Sequence, residues 1–434
     1  MRKKTGKEIV QFMEMGKKCS CGKVHSCSTE VMSIGEDQTG AMIDYIKQNF
    51  GAGAKGCIIS DQNTHTAAKA MIEATSGFCE SAKLKINSYH ADEFMVEDCE
   101  KLLENKNYDY FIAAGAGTIN DITRMVAHTR NVPFISYPTA ASVDGFVSTI
   151  APITSKDGMK LTIPASAPVA LFADIGVIAK APKRLFAAGV GDVLGKYVAL
   201  ADWRLANLLT DEPICAETAE FEFQTVEKFK NSLASFGKDK SETGFRALCA
   251  DLIEALVKCG LCIQYIGNTR PASGAEHHVS HFFEMNVILS TDCLHGENVG
   301  LGSIMCAGLY HSFANSDHIT FSENYDMEHD LVKKYYKGMY GAILEENAPD
   351  SVRKVTPGRF YGALGEIKEI MSSIPPKGEF VKLLDIFGGV TDLAGIKAYN
   401  LKCEEGEIEP LAFKLAPYVR DRLTLLKLMR CIEF

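Results

Sequence analysis

Residues 109–124, DYFIAAGAGTINDITR, run from a short apolar segment through a glycine-rich turn into a segment with apolar residues at helical spacing. This order predicts a buried strand, a tight turn and a helix. Backbone N–H groups in such a turn can approach a phosphate closely, and the helix N-terminus adds a favourable dipole. The turn departs from the G-x-G-x-x-G fingerprint, because Asn120 occupies the place of the third glycine. It therefore indicates either a nucleotide site or a pair of glycines needed for steric reasons.

The same alternation of strand and helix extends on both sides, from Val31 to about Asp174. Short apolar, β-branched runs predict strands at EVMSIG, KGCIISD, KLKINSY, DYFIAAG, PFISYP and PVALFAD. Apolar residues three and four apart predict helices in TAAKAMIEATSG and INDITRMVAHTRN. Such alternation predicts an α/β fold with a mainly parallel, Rossmann-like sheet that carries helices on both faces.

From Phe186 onward the sequence shows almost only helical periodicity. The segments are AGVGDVLGKYVALADWRLANLL, FRALCADLIEALVKCGLCIQYIG, HDLVKKYYKGMYGAILEEN and AFKLAPYVRDRLTLLKLMRCI. A chain of 434 residues exceeds the size at which a single core usually stops growing. We therefore expect an α/β dinucleotide-binding domain at residues 1–181 and an all-helical metal- and substrate-binding domain at residues 182–434.

Composition limits the classes of partner. The net charge is -9, and basic residues are interspersed with acidic ones, so no basic stripe favours nucleic acid or an anionic membrane. No apolar run reaches the roughly 18 residues of a membrane span, and the first residues lack the apolar centre of a signal peptide. The fourteen cysteines are spread through apolar segments. We expect a cytoplasmic protein with reduced thiols.

A second loop, YPTAASVDGFVS, follows the next predicted strand and places small hydroxyl residues around Gly145. Loops at the carboxyl ends of parallel strands bind ligands in open sheets, although such residues also form ordinary turns. Asp61, at the end of an earlier strand, could bind a ribose diol and so favour NAD over NADP. It precedes the glycine-rich turn, whereas the usual fingerprint places its acid after it. That order indicates a different lineage.

Histidines cluster between Gly274 and Gly300. In the predicted helix ASGAEHHVSHFFEM, His277 and His281 lie on one face, while His278 points about a quarter turn away. His295 follows, and Asp192 in AAGVGDVLGKY is the expected third ligand. One carboxylate with two imidazoles predicts an open, catalytic metal site. The alternative is a set of core histidines with an aspartate that caps a helix.

The segment CSCGKVHSC brings four possible zinc ligands, Cys19, Cys21, His25 and Cys27, into nine residues. A single short loop would have to supply all four, which is tighter than the usual pair of C-x2-C knuckles. The sequence leaves open a structural metal and favours a surface loop before the first long strand.

Taken together, these residues resemble the iron-containing alcohol dehydrogenase and dehydroquinate synthase superfamily, and within it the bacterial type of sn-glycerol-1-phosphate dehydrogenases. The resemblance covers nearly the whole chain. It is carried by GAGTINDITR, PFISYPTAASVDGFVS, PVALFADIGVIAKAPKRLFAAGVGDVLGKYVALADWRLA, SGAEHHVSHFFE, HGENVGLGSIMCAGLY and YVRDRLTLLKLM. The resemblance implies a dehydroquinate synthase-like fold, with the α/β half first and the helical half second.

The resemblance also implies a set of site residues. The metal ligands would be Asp192, His277 and His295. Asp144 and His281 would meet the substrate, with His281 the candidate for proton transfer. The coenzyme, NAD(H) or NADP(H), would lie along Asp61, Gly117, Thr118, Ile119, Asn120, Asp121, Thr139, Ala140, Ala141, Ser142 and Ser148.

The implied reaction is the reversible, metal-dependent reduction of dihydroxyacetone phosphate to sn-glycerol 1-phosphate, a step of phospholipid biosynthesis. The metal could be zinc, nickel, cobalt or ferrous iron, and a homodimer is the expected assembly. The alternatives are a polyol dehydrogenase of the same fold and a cyclising lyase of the dehydroquinate synthase kind; a non-catalytic metal scaffold is remote.

The substrate phosphate needs cations, and Lys196, Lys160 and Arg184 are the candidates by sequence neighbourhood. Two positions depart from the superfamily pattern: Ala116 stands where many members have glycine, and Ser166 where a lysine is frequent. The second departure leaves phosphate specificity open, because that lysine would be a further cation for the phosphate or for a neighbouring subunit.

Overall fold

The computed structural model describes residues 6–8, 18–86, 88–238, 240–323 and 325–434. Within these ranges no helix is both long enough and apolar enough to cross a membrane. The strands are β1 (Gly6–Glu8), β2 (Val31–Gly35), β3 (Gly56–Asp61), β4 (Cys79–Leu84), β5 (Tyr110–Gly115), β6 (Phe134–Pro138), β7 (Ile150–Thr154), β8 (Lys160–Pro164), β9 (Ala170–Asp174), β10 (Thr320–Phe321) and β11 (Ile432–Glu433).

The main sheet has the strand order β1-β2-β9-β6-β5-β3-β4. Its strands are parallel except β1, which runs antiparallel to β2 at one edge. The register pairs Gly115 at the end of β5 with Pro138 at the end of β6. The loops after these two strands therefore leave the same edge of the sheet, where open parallel sheets bind ligands. The predicted mainly parallel sheet is confirmed.

Helices cover both faces of this sheet: α1 (Gln38–Asn49), α2 (Gln62–Ala67), α3 (Lys69–Thr75), α4 (Glu93–Leu102) and α5 (Gly117–Arg130). Ile58 and Ile112 pack in one apolar cluster with residues of α1 and α3. Cys57 and Phe111, each one residue earlier, pack in another cluster with residues of α4 and α5. Neighbouring residues of a strand point to opposite faces, so strands covered on both sides are apolar throughout. This explains the continuous apolar runs in the sequence.

The predicted strand KLKINSY, residues 83–89, was wrong in position. The strand is Cys79–Leu84, and its burial alternates because it lies at the edge of the sheet. Polar side chains such as Glu80 and Lys83 are typical of an exposed edge strand. Because of these polar side chains, the composition of the strand resembles that of a loop.

A second element was missed. Strands β7 and β8 pair antiparallel in a separate two-stranded sheet, with Ile150 opposite Pro164 and Thr154 opposite Lys160. This hairpin follows the loop after β6. Its two prolines and scattered polar residues conceal the alternation that would have predicted strands.

The second half of the chain is helical. Its α-helices are α6 (Ile175–Ile178), α7 (Lys183–Thr210), α8 (Ala216–Phe236), α9 (Glu242–Ile266), α10 (Ala275–Glu284), α11 (His295–Asn315), α12 (His329–Tyr336), α13 (Tyr340–Glu346), α14 (Pro357–Ser372), α15 (Lys377–Asp385), α16 (Ile408–Leu415) and α17 (Leu425–Leu428). Single 3-10 turns occur at Gly145–Val147, Lys337–Met339, Ser351–Lys354, Ala394–Ile396, Glu405–Glu407, Ala416–Tyr418 and Met429–Cys431.

Two of the predicted long helices are broken. The helix predicted for HDLVKKYYKGMYGAILEEN is interrupted at Lys337, whose φ of 50° lies in the left-handed region. The last, AFKLAPYVRDRLTLLKLMRCI, ends as an α-helix before Pro417, because proline lacks the N–H that a helix interior needs. After a single 3-10 turn at Ala416–Tyr418 the chain is non-helical until Thr424. The hydroxyl of Thr424 accepts the N–H of Lys427 and caps a new short helix.

One apolar cluster extends across the predicted domain boundary. It contains Ile34 and Leu171 of the sheet together with Val193 and Leu252 of the helical half. The boundary near residues 181–182 stays a prediction; it falls in the short segment between α6 and α7.

Candidate active site

A cleft of about 1080 Å³ lies between the carboxyl edge of the sheet and the helical half. Most of the predicted site residues line it. They are Asp61, Gly117, Thr118, Ile119, Asp121, Thr139, Ala140, Ser142, Asp144, Ser148, His277, His281 and His295. Three predicted residues, Asn120, Ala141 and Asp192, are buried beside the cleft and do not line it.

The structure brings Asp192, His277 and His295 together. One donor atom from each lies within 4.8 Å of the others, and the Nε2 atom of His277 is 3.7 Å from Oδ1 of Asp192. Asp192 and His277 are buried and His295 is half-buried. Two imidazoles beside a carboxylate are the donor set of an open site for a divalent metal ion. Such donors suit ions that are hard or borderline Lewis acids.

Two carboxylates orient these histidines, and the sequence had not singled them out. Glu276 lies 2.6 Å from Nδ1 of His277, and Glu284 lies 2.6 Å from Nδ1 of His295. A carboxylate on one ring nitrogen fixes the tautomer that leaves the other nitrogen as a metal ligand. The sequence did carry a signal: an acid stands just before His277, at position 276, and another stands three residues after His281, at position 284.

Glycines bring the helices that carry Asp192 and His295 close together. A Cβ atom on Gly191 would lie 2.1 Å from the carbonyl oxygen of Gly296, and one on Gly296 would lie 1.9 Å from that of Ala188. The backbone of α7 therefore touches the first turn of α11. This contact sets Asp192 beside His295, which begins α11.

Lys196 joins the two halves of the cleft. Its ammonium lies 2.7 Å from Asp192 of its own helix and 2.8 Å from Asp144 of the loop after β6. The backbone N–H of Asp144 also donates to Asp192, at 2.9 Å. Burial acts to lower the pKa of Lys196, but the two carboxylates outweigh it and raise the pKa well above its usual value. This lysine is thus a charged, fully buried bridge between Asp144 and Asp192.

Glu284 is the centre of a second group of charged and polar side chains beside the cleft. Besides His295, it contacts Lys160 of β8 at 2.9 Å and accepts the hydroxyl of Ser280 at 2.9 Å. His281 lies in the same region, with its ring centre 5.8 Å from that of His295. Within the described part of the chain, Nδ1 of His281 has no hydrogen-bond partner. It is therefore buried with one ring nitrogen available.

The residues around the glycine-rich turn have steric roles as well. A Cβ atom on Gly115 would lie 2.4 Å from Cβ of Ile119, and one on Gly117 would lie 2.9 Å from Val143. Asn120 donates to the carbonyl of Gly145 at 3.3 Å and accepts from Ser136. It ties α5 to the second loop and is kept away from the cleft by those bonds.

Asp61 ends β3 and caps α2. Its Oδ1 atom accepts the N–H groups of Asn63 and Thr64, at 2.6 and 2.9 Å. Capping of α2 thus engages one carboxylate oxygen, and Asp61 still lines the cleft. A single aspartate can serve both purposes, since the cap uses one oxygen.

Arg420 is not among the cations that the sequence indicated, although it lies in a segment that carried the resemblance. It lines the cleft with Lys160 and Thr162, and its guanidinium donates to the hydroxyl of Thr162. Among the residues that the structure describes, no carboxylate forms an ion pair with it. The break after α16 is what turns this arginine out of a helix and toward the cleft.

The other sequence candidates for a phosphate cation are engaged. Lys196 is held by two aspartates, and Arg184 forms a two-pronged ion pair with Glu297, with contacts of 2.7 Å. Ser166 contacts His128 at 3.1 Å and does not line the cleft. Ser166 therefore adds no charge to the cleft, whose lining includes the cations Lys69, Lys160, Lys180, Arg184 and Arg420.

Residues 33–182 match a protein family described as iron-containing alcohol dehydrogenase. Over 304 residues the chain is 35% identical to a glycerol-1-phosphate dehydrogenase [NAD(P)+] of Bacillus licheniformis, covering 68% of this chain and 74% of that protein. It is 30% identical over 432 residues to the protein of the same description from Halalkalibacterium halodurans, covering 96% of each.

Solved structures share the fold. A 1,3-propanediol oxidoreductase superposes with a TM-score of 0.60 at 13% identity, over 93% of this chain and 96% of that one. A putative alcohol dehydrogenase from Ralstonia eutropha gives 0.59 at 13% identity, over 94% and 95%. The expected α/β sheet followed by a helical half is therefore the fold of known alcohol dehydrogenases of this type.

Proposed function

Because the chain belongs to the glycerol-1-phosphate dehydrogenases, within the iron-containing alcohol dehydrogenases, we propose that it reversibly reduces dihydroxyacetone phosphate to sn-glycerol 1-phosphate with NADH or NADPH. The observation that carries this proposal is one cleft lined by His277, His295 and the guanidinium of Arg420, with Asp192 buried beside the two histidines. The first suits a ketone or alcohol oxygen, and the second suits a phosphate.

Asp192, His277 and His295 would hold the metal. They fit a divalent ion because each imidazole has one nitrogen occupied by a carboxylate and the other free for coordination. When bound, the metal supplies a Lewis acid for the substrate oxygen, and the nicotinamide supplies the hydride. Zinc, nickel, cobalt and ferrous iron all accept these donors; we propose zinc or nickel as the working ion.

The coenzyme would lie along the carboxyl edge of the sheet. The first turn of α5 offers free backbone N–H groups at Gly117, Thr118 and Ile119, which favour a pyrophosphate. The second loop, at Thr139, Ala140, Ala141, Ser142 and Ser148, would surround the nicotinamide half. Asp61 would accept a ribose hydroxyl and repel the extra phosphate of NADPH.

Arg420 and Lys160 would bind the substrate phosphate. A guanidinium matches phosphate oxygens with two parallel hydrogen bonds, which makes arginine well suited to this group. Lys160 adds positive charge, although Glu284 neutralises part of it. Arg420 is therefore the residue on which specificity for the phosphorylated substrate should depend most strongly.

Asp144 and His281 would handle the substrate hydroxyl and the proton. Burial and the neighbouring Asp192 raise the pKa of Asp144, and the Lys196 ammonium opposes this rise. The ion pair with Lys196 fixes Asp144 in place, so its carboxyl group can hydrogen-bond with a substrate hydroxyl. His281 is buried beside the metal ligands with one ring nitrogen unpaired among the described residues. Burial lowers the pKa of His281 well below its usual value, so the resting imidazole is neutral. It could accept the proton of the alcohol during oxidation, and in the reduction direction return that proton to the substrate oxygen.

The test is oxidation of NADH with dihydroxyacetone phosphate by enzyme stripped with EDTA, before and after zinc or nickel is returned. We expect turnover only with metal, and little turnover with unphosphorylated dihydroxyacetone. Equal rates on both ketones would indicate the polyol dehydrogenase instead. Absence of net NADH oxidation with every metal would reject the proposal and favour the cyclising lyase.

A homodimer in the cytoplasm is the assembly and location we propose, with the product serving phospholipid biosynthesis. Closed two-fold dimers are the commonest soluble oligomers. Light scattering of the purified full-length chain at assay concentration tests the assembly directly, because a monomer and a dimer differ twofold in mass.

A further inference from the structure

The cysteine-rich loop at residues 19–27 lies next to a cysteine from the helical half. The Sγ atoms of Cys19 and Cys215 are 3.7 Å apart, and Nε2 of His25 lies 3.3 Å from Sγ of Cys21 and 3.6 Å from Sγ of Cys215. One donor atom from each of these four residues lies within 4.8 Å of the others. We call these four residues the cysteine cluster.

Their spacing is that of a tetrahedral metal site. Zinc–sulfur bonds of about 2.3 Å at tetrahedral angles place two sulfurs about 3.8 Å apart, and shorter zinc–nitrogen bonds bring sulfur and nitrogen slightly closer. The Cys19–Cys215 and Cys215–His25 distances agree with this geometry. A disulfide would need the two sulfurs at about 2.05 Å.

The tautomer of His25 is also set for coordination. Its Nδ1 atom lies 2.6 Å from the carbonyl oxygen of Tyr265, to which it can only donate a hydrogen. The unprotonated Nε2 atom is therefore the one that faces the three sulfurs. His25 and Cys215 are buried, so no bulk water competes for the centre of the cluster at those two positions.

Cys27 does not belong to the cysteine cluster. Its thiol donates to the carbonyl of Thr29 at 3.6 Å, and the fourth donor is instead Cys215, from the segment between α7 and α8. The sequence pattern had grouped the wrong fourth residue, because proximity along the chain was the only available guide. None of the four members lines the active-site cleft.

We propose that Cys19, Cys21, His25 and Cys215 bind a structural zinc ion, separate from the metal of the active site. Three cysteine sulfurs and one imidazole select a soft or borderline ion such as zinc over magnesium, calcium or manganese. Binding releases the protons of the three thiols, so the ion and its ligands carry a net charge of -1. A four-ligand site is closed to substrate, which makes its role structural.

The site would connect three parts of the chain. The loop at 19–27 leads into β2, Cys215 precedes α8, and the carbonyl that fixes His25 lies on α9. Gln264, next to that carbonyl, also accepts the N–H of Ser28 at 3.0 Å. The zinc would thus hold the segment before the sheet against the helical half.

Cobalt substitution in the full-length chain distinguishes this site from the active site. Cobalt(II) bound to cysteine thiolates gives an intense near-ultraviolet charge-transfer band, which carboxylate and imidazole ligands do not give. We expect the metal-depleted protein to take up cobalt with this band, and to lose the band when zinc is added. Cobalt uptake without the band would overturn the proposal.

Variants locate the ligands. Cys21→Ser should lose the thiolate band and a metal equivalent, whereas Cys27→Ser, in the same loop but outside the cluster, should keep both. Loss of the band in Cys27→Ser with retention in Cys21→Ser would refute the assignment. If Cys21→Ser fails to fold, X-ray absorption at the zinc edge of the wild-type protein decides, since sulfur neighbours support the site and their absence excludes it.

Discussion

At the scale of single residues, Glu276 and Glu284 each contact Nδ1 of one proposed ligand histidine and so determine that Nε2 is the free nitrogen. The sequence predicted that Asp192, His277 and His295 form one site, and the structure does bring these three side chains together; that they bind a metal stays a prediction. It could not predict which acid touches which ring, since that depends on side-chain directions within one helix and across to α11. The position of Arg420 in the cleft could not be predicted for a related reason, since it depends on where the helix before it ends.

Glu276→Gln should weaken metal binding on the order of 10- to 100-fold, because the amide orients His277 less strongly than the carboxylate does. Competition with a chromophoric chelator measures this affinity. Glu222→Gln is the matched control: Glu222 is also buried, and burial raises its pKa to about 8, but it contacts neither histidine. Equal losses in both variants would show that Glu276 acts only through general packing.

Arg420→Ala should lower kcat/KM for dihydroxyacetone phosphate on the order of 100-fold, since each lost charge-assisted hydrogen bond costs roughly 1.5–3 kcal/mol. Activity toward unphosphorylated dihydroxyacetone should stay near its low wild-type value. Arg184→Ala is the control, as that guanidinium is already paired with Glu297. A larger loss of kcat/KM in Arg184→Ala than in Arg420→Ala would indicate that Arg184 binds the phosphate instead.

Asp61→Asn should raise the efficiency with NADPH relative to NADH, because it removes the charge that opposes the 2′-phosphate. Asparagine is as good a helix cap as aspartate, so α2 should be preserved. Steady-state kinetics with both coenzymes measure the ratio. An unchanged ratio would mean that Asp61 serves α2 alone.

At the scale of elements, strands buried on both faces were predictable because their apolar runs admit few other environments. The edge strand β4 and the β7–β8 hairpin were not, since exposed strands share their composition with loops. The final helix was overpredicted because periodicity continues through Pro417 although the helix does not. Helix contacts such as that of α7 with α11 are invisible in single-segment patterns and depend on paired glycines.

Gly191→Ala should destabilise the fold by about 1–3 kcal/mol or more, because its Cβ would overlap the carbonyl of Gly296. The resulting shift of α7 should also reduce metal retention. Gly362→Ala, in the interior of α14 with open space around it, should instead stabilise by about 0.5–1 kcal/mol. Urea unfolding measures both; a neutral effect at position 191 would mean that the two helices separate easily.

At the scale of the whole molecule, the proposed coenzyme residues come from the sheet half and the proposed metal ligands from the helical half. Lys196 connects them through Asp144 and Asp192. The apolar cluster that crosses the predicted boundary connects them as well. The sequence predicted two halves correctly as regions of different secondary structure, but the shared core depends on contacts between distant segments that no local pattern encodes.

Calorimetry should therefore show one unfolding transition that both ligands move. Each ligand that binds only the folded state adds about 2.7 kcal/mol at a concentration 100 times its Kd, so NADH and the metal should each raise the same Tm. Metal-stripped protein is the reference. Two transitions, one moved by NADH and the other by metal, would show that the halves unfold independently.

The β7–β8 hairpin, which forms its own small sheet, carries Lys160 and touches Arg420 through Thr162. It pairs with no strand of the main sheet, although its Ala151 and Ile153 pack in the apolar cluster that also contains residues of β5 and α5. Substitutions at its cleft-lining positions, such as Lys160 and Thr162, could thus admit a different substrate head group while the register of the main sheet stays unchanged. In this architecture the substrate range would therefore depend on a hairpin that lies outside the main sheet.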